Sequence, residues 1–416
     1  MLGRGRVLAA APVPLIPRAQ RQVFVYLLAA LLVETLFFVV LSPLLPVYAR
    51  ELHLSRSAAG LMSACYSIGY GLAALPAGAA VGVVGPRRVS LGGLGLVAVG
   101  CAAFGAARVP LLLDLARALT GAGAAGVWAG SIPWMESLAG GQERGRLIGV
   151  AFSAASAGSC AGPAVGALAT VTGPRPVFLA LSVVIGLLVV WGAVVSAGHE
   201  PSMPPRAGGG VREALGSMRD GLRTPQAGVA LAMVALPTVG LGVCGVLMPL
   251  RLRGLGVAEL AIAIAYLTAA VLEVLANPLI GRWFDRRGGA LVLRWALLLC
   301  GACVTVLALP LPAAALLAAL VLAYLVLNAC WVPALAQLST TLERGGAAPG
   351  VALGLFNVSW AIFQVVGSIG GAEVSRVGIA APFLVLTALF TLGACATSRL
   401  ATPPPGDGAE PERGSR

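Results

Sequence analysis

The chain has 416 residues, of which 58% are hydrophobic and only 11% charged, and its mean hydropathy is +0.93. An ordinary soluble domain carries charge on about a quarter of its residues, so this sequence cannot coat a water-facing surface of its size. The net charge of +12 comes from arginines in short segments between apolar runs, and the few aromatics lie mostly inside those runs, which argues against a basic, aromatic nucleic-acid face.

Apolar stretches long enough for a hydrocarbon core of about 30 Å recur along the chain, which predicts an all-α membrane protein. Residues 1–22 form a tail bearing Arg4, Arg6, Arg18 and Arg21 around a short Pro-interrupted apolar stretch. No clear cleavable signal follows, so the first span is expected to direct insertion. Spans 1 to 6 are predicted at about 23–48, 57–83, 89–107, 110–139, 147–171 and 174–197. Spans 7 to 12 are predicted at about 227–250, 257–281, 290–309, 312–342, 350–374 and 379–400. This gives twelve transmembrane helices in two six-helix bundles, 23–197 and 227–400. A Pro-, Gly- and charge-rich linker, 198–226, joins them, and a tail of similar composition, 401–416, is expected to be disordered.

Arginine placement predicts orientation. The loops after even spans and the linker hold Arg87, Arg88, Arg144, Arg146, Arg206, Arg212, Arg219, Arg223, Arg282, Arg286, Arg287 and Arg344. The opposite loops hold fewer, chiefly Arg50, Arg56, Arg108, Arg175, Arg251, Arg253 and Arg376. The first set is expected to face the cytoplasm, which with an even span count places both termini there. The Arg-only, Ala- and Gly-rich composition points to a high-GC genome and hence a bacterial inner membrane.

The halves repeat. An offset of 203 lays Pro46 on Pro249, Arg50 on Arg253, Leu52 on Leu255, Gly78 on Gly281, Gly85 on Gly288 and Trp128 on Trp331. A later offset of 205 pairs Gly149 with Gly354, Gly162 with Gly367, Gly166 with Gly371 and Phe178 with Phe383. Parallel repeats imply a pseudo-twofold axis along the membrane normal and a solute site where the halves meet.

The loop after span 8 reads G-R-W-F-D-R-R-G from Gly281 to Gly288. It resembles the cytoplasmic signature of the major facilitator superfamily. In that reading Gly281 lets helices approach, Asp285 pairs with arginines or meets a helix N-terminus, and Arg286 and Arg287 hold the loop at an anionic leaflet, so the cluster latches one conformation. The first-half copy keeps Gly78, Gly85, Arg87 and Arg88 but has Gly82 where the family usually has Asp. Glu136 is expected either to substitute as partner of Arg87 or Arg88 or to pair locally with Arg144.

Span 4 contains R-A-L-T-G-A-G-A from Arg117, which resembles the second signature of the superfamily, with an arginine inside the membrane. Such a guanidinium needs a partner or a wet cavity, and an Asp114–Arg117 pair at i, i+3 is the plainer alternative. Span 5 reads G-S-C-A-G-P-A-V-G-A from Gly158 to Ala167, similar to the antiporter signature of drug:proton exchangers. Gly158, Gly162 and Gly166 make a flat packing face and Pro163 permits a bend, with ordinary small-residue packing as the alternative.

Glu34 lies about 16 Å into span 1, near the bilayer midplane, where a carboxylate should be protonated or paired. It is the leading proton or cation site, with Arg117 tuning it and Glu273, about 12 Å from Gly281, as the second candidate. An interhelical contact to Asn277 or an arginine is the alternative for Glu273. Asn328, Asn357 and Gln364 are expected to line a cavity or bond between helices, and Tyr66, Tyr70, Trp128, Trp331 and Trp360 to form aromatic walls or plain packing. Glu373 and Arg376 read as an exposed i, i+3 pair.

No cofactor or metal is expected: the eight cysteines lie in apolar segments, and Cys300-x-x-Cys303 has no second pair or histidine cluster. His53 and His199 fall outside the spans, so an enzyme is not expected, and without a Walker loop an ion gradient rather than ATP is the implied energy source. The resemblance implies a proton-coupled exporter of a small lipophilic or cationic compound, working by alternating access. Its partners would be that solute, protons and membrane lipids, with a monomer as the expected unit. Uptake of a sugar or other nutrient, and a non-transporting receptor or scaffold, stand as alternatives.

Overall fold

The computed structural model describes residues 20–138, 144–198, 216, 219, 225–287, 289–344 and 351–397, and side chains for these apart from stretches such as 277–287 and 289–293. The tail and linker expectations lie almost wholly outside the described residues. Every regular element within them is a helix. The first group comprises α1 (Arg21–Val39), α2 (Leu41–Glu51), α3 (Arg56–Val84), α4 (Pro86–Ala106), α5 (Pro110–Leu138), α6 (Arg144–Thr172) and α7 (Pro174–Val195). The second comprises α8 (Pro225–Gly254), α9 (Glu259–Arg287), α10 (Gly289–Ala308), α11 (Ala313–Ala329), α12 (Trp331–Arg344), α13 (Val351–Val365), a π turn (Val366–Gly370), α14 (Gly371–Val374) and α15 (Ala381–Thr397).

Local chemistry explains the boundaries. Gly85 and Gly173 adopt positive φ and are each followed by Pro at the first position of the next helix, a stop and start that most residues cannot make. The Ser55 hydroxyl accepts from Ala58 N and caps α3. Span 1, expected as one helix, is divided at Val40, where Pro43 has no N–H to offer the Val39 carbonyl. Span 10 is likewise divided at Cys330, and span 11 runs through the π turn.

Among the described residues, eight helices are long and apolar enough to cross a membrane, and three shorter apolar ones, Arg294–Ala308, Ala313–Ala329 and Ala381–Ala396, accompany them. Large apolar side chains such as Leu72, Val83, Leu187 and Leu392 stand exposed on the outside, as lipid-facing residues do. The repeat is visible in the helices themselves: α3 and α9 are both 29 residues long and begin 203 positions apart, as do the starts of α4 and α10 and of α5 and α11.

Within the first half, α3 and α4 pack on α5, and α1 packs on α6. Small residues make this possible. A Cβ at Gly69 or Gly121 would collide with the backbone of Ala118 or Tyr66, so α3 and α5 touch main chain to main chain. The halves meet where α6 packs on α9, α3 on α13, and α2 on α8 and α9.

Candidate functional site

The site is built around Glu34 on α1, which is 4% exposed. Trp128 Nε1 on α5 donates to its Oε2 at 2.8 Å, and the Thr35 hydroxyl, which also reaches Leu31 O at 3.0 Å, lies 3.1 Å from the same oxygen. On α3 the Tyr66 hydroxyl donates to Oε1. The backbone contact between α3 and α5 is what brings Tyr66 and Trp128 to one carboxyl group. An indole N–H only donates, so Oε2 remains an acceptor in either protonation state; a proton on Glu34 belongs on Oε1, where the Tyr66 hydroxyl can reverse from donor to acceptor.

Arg117 on α5 is 1% exposed. Its Nη1 donates to Phe37 O at 2.9 Å and its Nη2 to Phe38 O at 3.3 Å, and its Cζ lies 5.3 Å and 5.1 Å from the Phe37 and Tyr66 ring centres. Among the described residues no carboxylate comes within ion-pair distance of it. Hydrogen bonds from a charged donor contribute roughly 1.5–3 kcal/mol each and a desolvated cation–π contact about 2. Their sum is comparable with a burial cost of about 3 kcal/mol or more, so two carbonyls and two rings hold the guanidinium without an acid, while its Nε has no hydrogen-bond partner among the described residues. The Asp114–Arg117 alternative is therefore corrected: Arg117 turns to the carbonyls just before the α1 break, and Asp114 Oδ1 has no hydrogen-bond partner among the described residues.

From Glu34 a run of rings crosses into the second half. Phe38 lies 5.0 Å from Tyr66 and 5.1 Å from Trp360, Tyr70 lies 5.3 Å from Trp360, and Trp331 lies 6.5 Å from Trp360. Trp128 contacts Phe152 at 5.3 Å. Tyr66, Tyr70, Trp360 and Gln364 are buried, so the expected walls form a closed seam rather than an open cavity. Cavities of about 210 Å³, beside Met233 and Leu297, and about 320 Å³, beside Tyr48, Glu51, Arg108 and Arg175, lie away from it.

The other expected residues separate from this set. Asn328 Nδ2 donates to Tyr324 O within its own helix at 3.0 Å, and Asn357 is half-buried on α13. Glu273, half-buried on α9, is within electrostatic reach of Cys160 on α6 and so belongs to the seam between those helices. The antiporter-like face packs on α1 and the start of α2: a Cβ at Gly162 would fall 2.8 Å from Leu36 O, one at Gly166 would fall 2.7 Å from the Pro43 ring, and one at Gly158 would meet Leu32 O. Pro163 lies within an unbroken α6.

In the first latch copy, Arg87 is held by the end of α7, with Nε donating to Ser196 Oγ at 2.8 Å and Nη2 to Ala193 O at 3.3 Å. The end of α7, whose last carbonyls have no partner within the helix, supplies these contacts of Arg87. Arg88 is exposed, and a Cβ at Gly78 would meet no atom within 4 Å, so Gly78 brings no helix close. Side chains of Gly281, Asp285, Arg286 and Gly288 in the second copy lie outside the described residues.

Sequence reasoning missed Thr35 and Glu259. Glu259 Oε1 lies 2.7 Å from Arg50 Nη1 of the other half and 3.1 Å from Arg253 Nε. At the same end Arg56 Nη1 donates to Ser375 O at 3.3 Å and Arg376 Nη2 to Ser57 Oγ at 3.0 Å, while Arg376 also pairs with Glu373 at 3.0 Å. Glu259 stands at the repeat position of Arg56, and that reversal of charge between mates was the available signal.

The family description Major Facilitator Superfamily matches residues 27–368. A solved structure titled as a POT family transporter in complex with 5-aminolevulinic acid superposes with a TM-score of 0.73 at 11% identity, over 91% of this chain and 96% of that one. No curated protein is a significant sequence match.

Proposed function

The chain belongs to the Major Facilitator Superfamily, whose members are membrane transporters, and from that premise we propose that it exports a small lipophilic or cationic compound in exchange for protons. Twelve spans in two pseudo-symmetric bundles would rock about the Glu34 seam, with the Arg50 end outward and both termini in the cytoplasm. The observation that carries this reading is the buried Glu34 carboxyl group, held by Trp128 on one oxygen and by a reversible Tyr66 contact on the other. Such an acid can hold either a proton or a cation, but not both. Exchange follows if each occupant favours a different seam geometry. Arg117 keeps a fixed positive charge one ring away and disfavours a second cation while Glu34 is neutral.

The test uses proteoliposomes with a clamped membrane potential, an imposed pH gradient and labelled tetraphenylphosphonium. The gradient is expected to drive the cation against its concentration, and Glu34→Gln to abolish that drive. Movement indifferent to both the gradient and the substitution contradicts the reading. A second reading, proton-coupled nutrient uptake, is favoured by the solved neighbour, a transporter bound to 5-aminolevulinic acid. The direction of flux under the same gradient separates the two.

A further inference from the structure

The two halves treat one repeated tryptophan differently. Trp128 and Trp331 are mates at the 203 offset, and Trp128 gives its indole N–H to Glu34. The mate of Glu34 is Pro237, which offers no side-chain acceptor, and among the described residues Trp331 Nε1 has no hydrogen-bond partner. The neighbouring Trp360, 8% exposed, also carries an unpartnered Nε1. Two further donors of the same seam are buried and unpartnered: Ser67 Oγ on α3 and Ser368 Oγ in the π turn. The seam's register explains their grouping. A Cβ at Gly60 would lie 2.6 Å from Ser368 O and one at Gly71 would lie 3.2 Å from the Ala361 side chain, so Ser67 lies between these contacts on the same helix pair.

A buried donor without an acceptor is destabilising, and a π turn often marks a functional position. Trp134 also has an unpartnered N–H, but its ring partner Tyr26 lies within the first half, and it has no tryptophan mate.

We propose that the Trp331–Trp360 pair is the second pole of the substrate site and takes a hydrogen-bond-accepting oxygen, a carbonyl or ether, on the apolar body of the solute. This deepens the transport reading and rests on it. Indole N–H groups cannot accept, so a hydroxyl or amine placed there gains only through its lone pairs. The ring faces of Phe38, Tyr70 and Trp360 suit a flat apolar body, while Glu34 takes the cationic end. The preferred solute is thus a lipophilic amine with an acceptor oxygen on the far side of its apolar part, and bare hydrocarbon amines are poorer ligands.

The test compares 1-[4-(3-dimethylaminopropyl)phenyl]ethanone with 3-(4-ethylphenyl)-N,N-dimethylpropan-1-amine, which differ by one ketone oxygen at the end of the ring remote from the amine, using calorimetry on the purified full chain. The ketone is expected to bind about tenfold more tightly, as one hydrogen bond to a buried donor allows. Trp331→Phe with Trp360→Phe keeps an aromatic ring at each position, removes both N–H groups and is expected to bring the two amines to equal affinity, whatever the smaller rings cost both of them. Indole ¹⁵N spectra of the unsubstituted protein supply a readout independent of these variants: the Trp331 and Trp360 N–H signals should move with the ketone and not with its partner. Equal affinities, a preference that survives both substitutions, or unmoved signals overturn the proposal. If both amines bind and Glu34→Gln abolishes their binding, those results leave the transport reading intact; if neither amine binds, both readings fail together.

Discussion

Arg50 and Glu259 tie the two halves together at one end of the bundle, 2.7 Å apart, and the same carboxylate oxygen also receives Arg253, the repeat mate of Arg50. One acid therefore serves two arginines at the same repeat position. Arg50 is 56% exposed and Glu259 17%, so the link falls in the range of about 0.2–1 kcal/mol for accessible ion pairs. Glu259→Gln is expected to raise labelling of a cysteine placed at Ser57 by a membrane-impermeant maleimide up to about fivefold. High salt should reproduce part of that effect in the parent protein. Unchanged labelling under both conditions shows that the apolar contacts alone keep this end shut.

Arg117→Lys separates charge from geometry. Lysine keeps the positive charge but cannot hold the Phe37 and Phe38 carbonyls together while lying against two rings. Hydrogen–deuterium exchange over residues 36–44 should rise, and pH-driven transport should fall at least tenfold, as expected for two buried acceptors losing partners at about 1–3 kcal/mol each. Normal exchange and transport show that Arg117 contributes charge alone.

The glycines of α6 and of the first latch copy predict opposite outcomes. Gly162→Val places a branched side chain against Leu36 O and Val39, and overpacking should destabilise by about 1–3 kcal/mol, read as a lower melting temperature in detergent. Gly78→Ala meets open space and removes a flexible helix position, so the melting temperature should hold or rise, by at most about 1 kcal/mol of stability. Equal losses at both positions would mean that backbone approach is not what Gly162 provides.

Much of the architecture was legible because hydropathy and a steady offset are properties of the chain itself. The 203 offset relates the starts of α3 and α9, whereas hydropathy alone puts those starts near 57 and 257, three residues out of register. The division of span 1 was also written in the sequence, in Pro43, but apolar periodicity runs across it without a mark. The site was legible in membership and not in pairing. Tyr66 and Trp128 stood out as aromatics, yet their use as donors to Glu34 depends on helix rotations that a 3.6-residue period does not fix relative to a neighbour. For Arg117 a sequence offers a visible acid, Asp114, or an unseen cavity, and the contacts it makes are neither. Backbone carbonyls exist at every residue, so nothing singled out Phe37 and Phe38.

The central claim is that Glu34 gives up a proton when a cation binds. Infrared difference spectroscopy of the purified protein on adding tetraphenylphosphonium tests this directly, with Glu34→Gln as the control. The account predicts loss of a protonated-carboxyl band in the parent protein and no such change in the variant. A spectrum without that loss, or one that persists unchanged in Glu34→Gln, contradicts it.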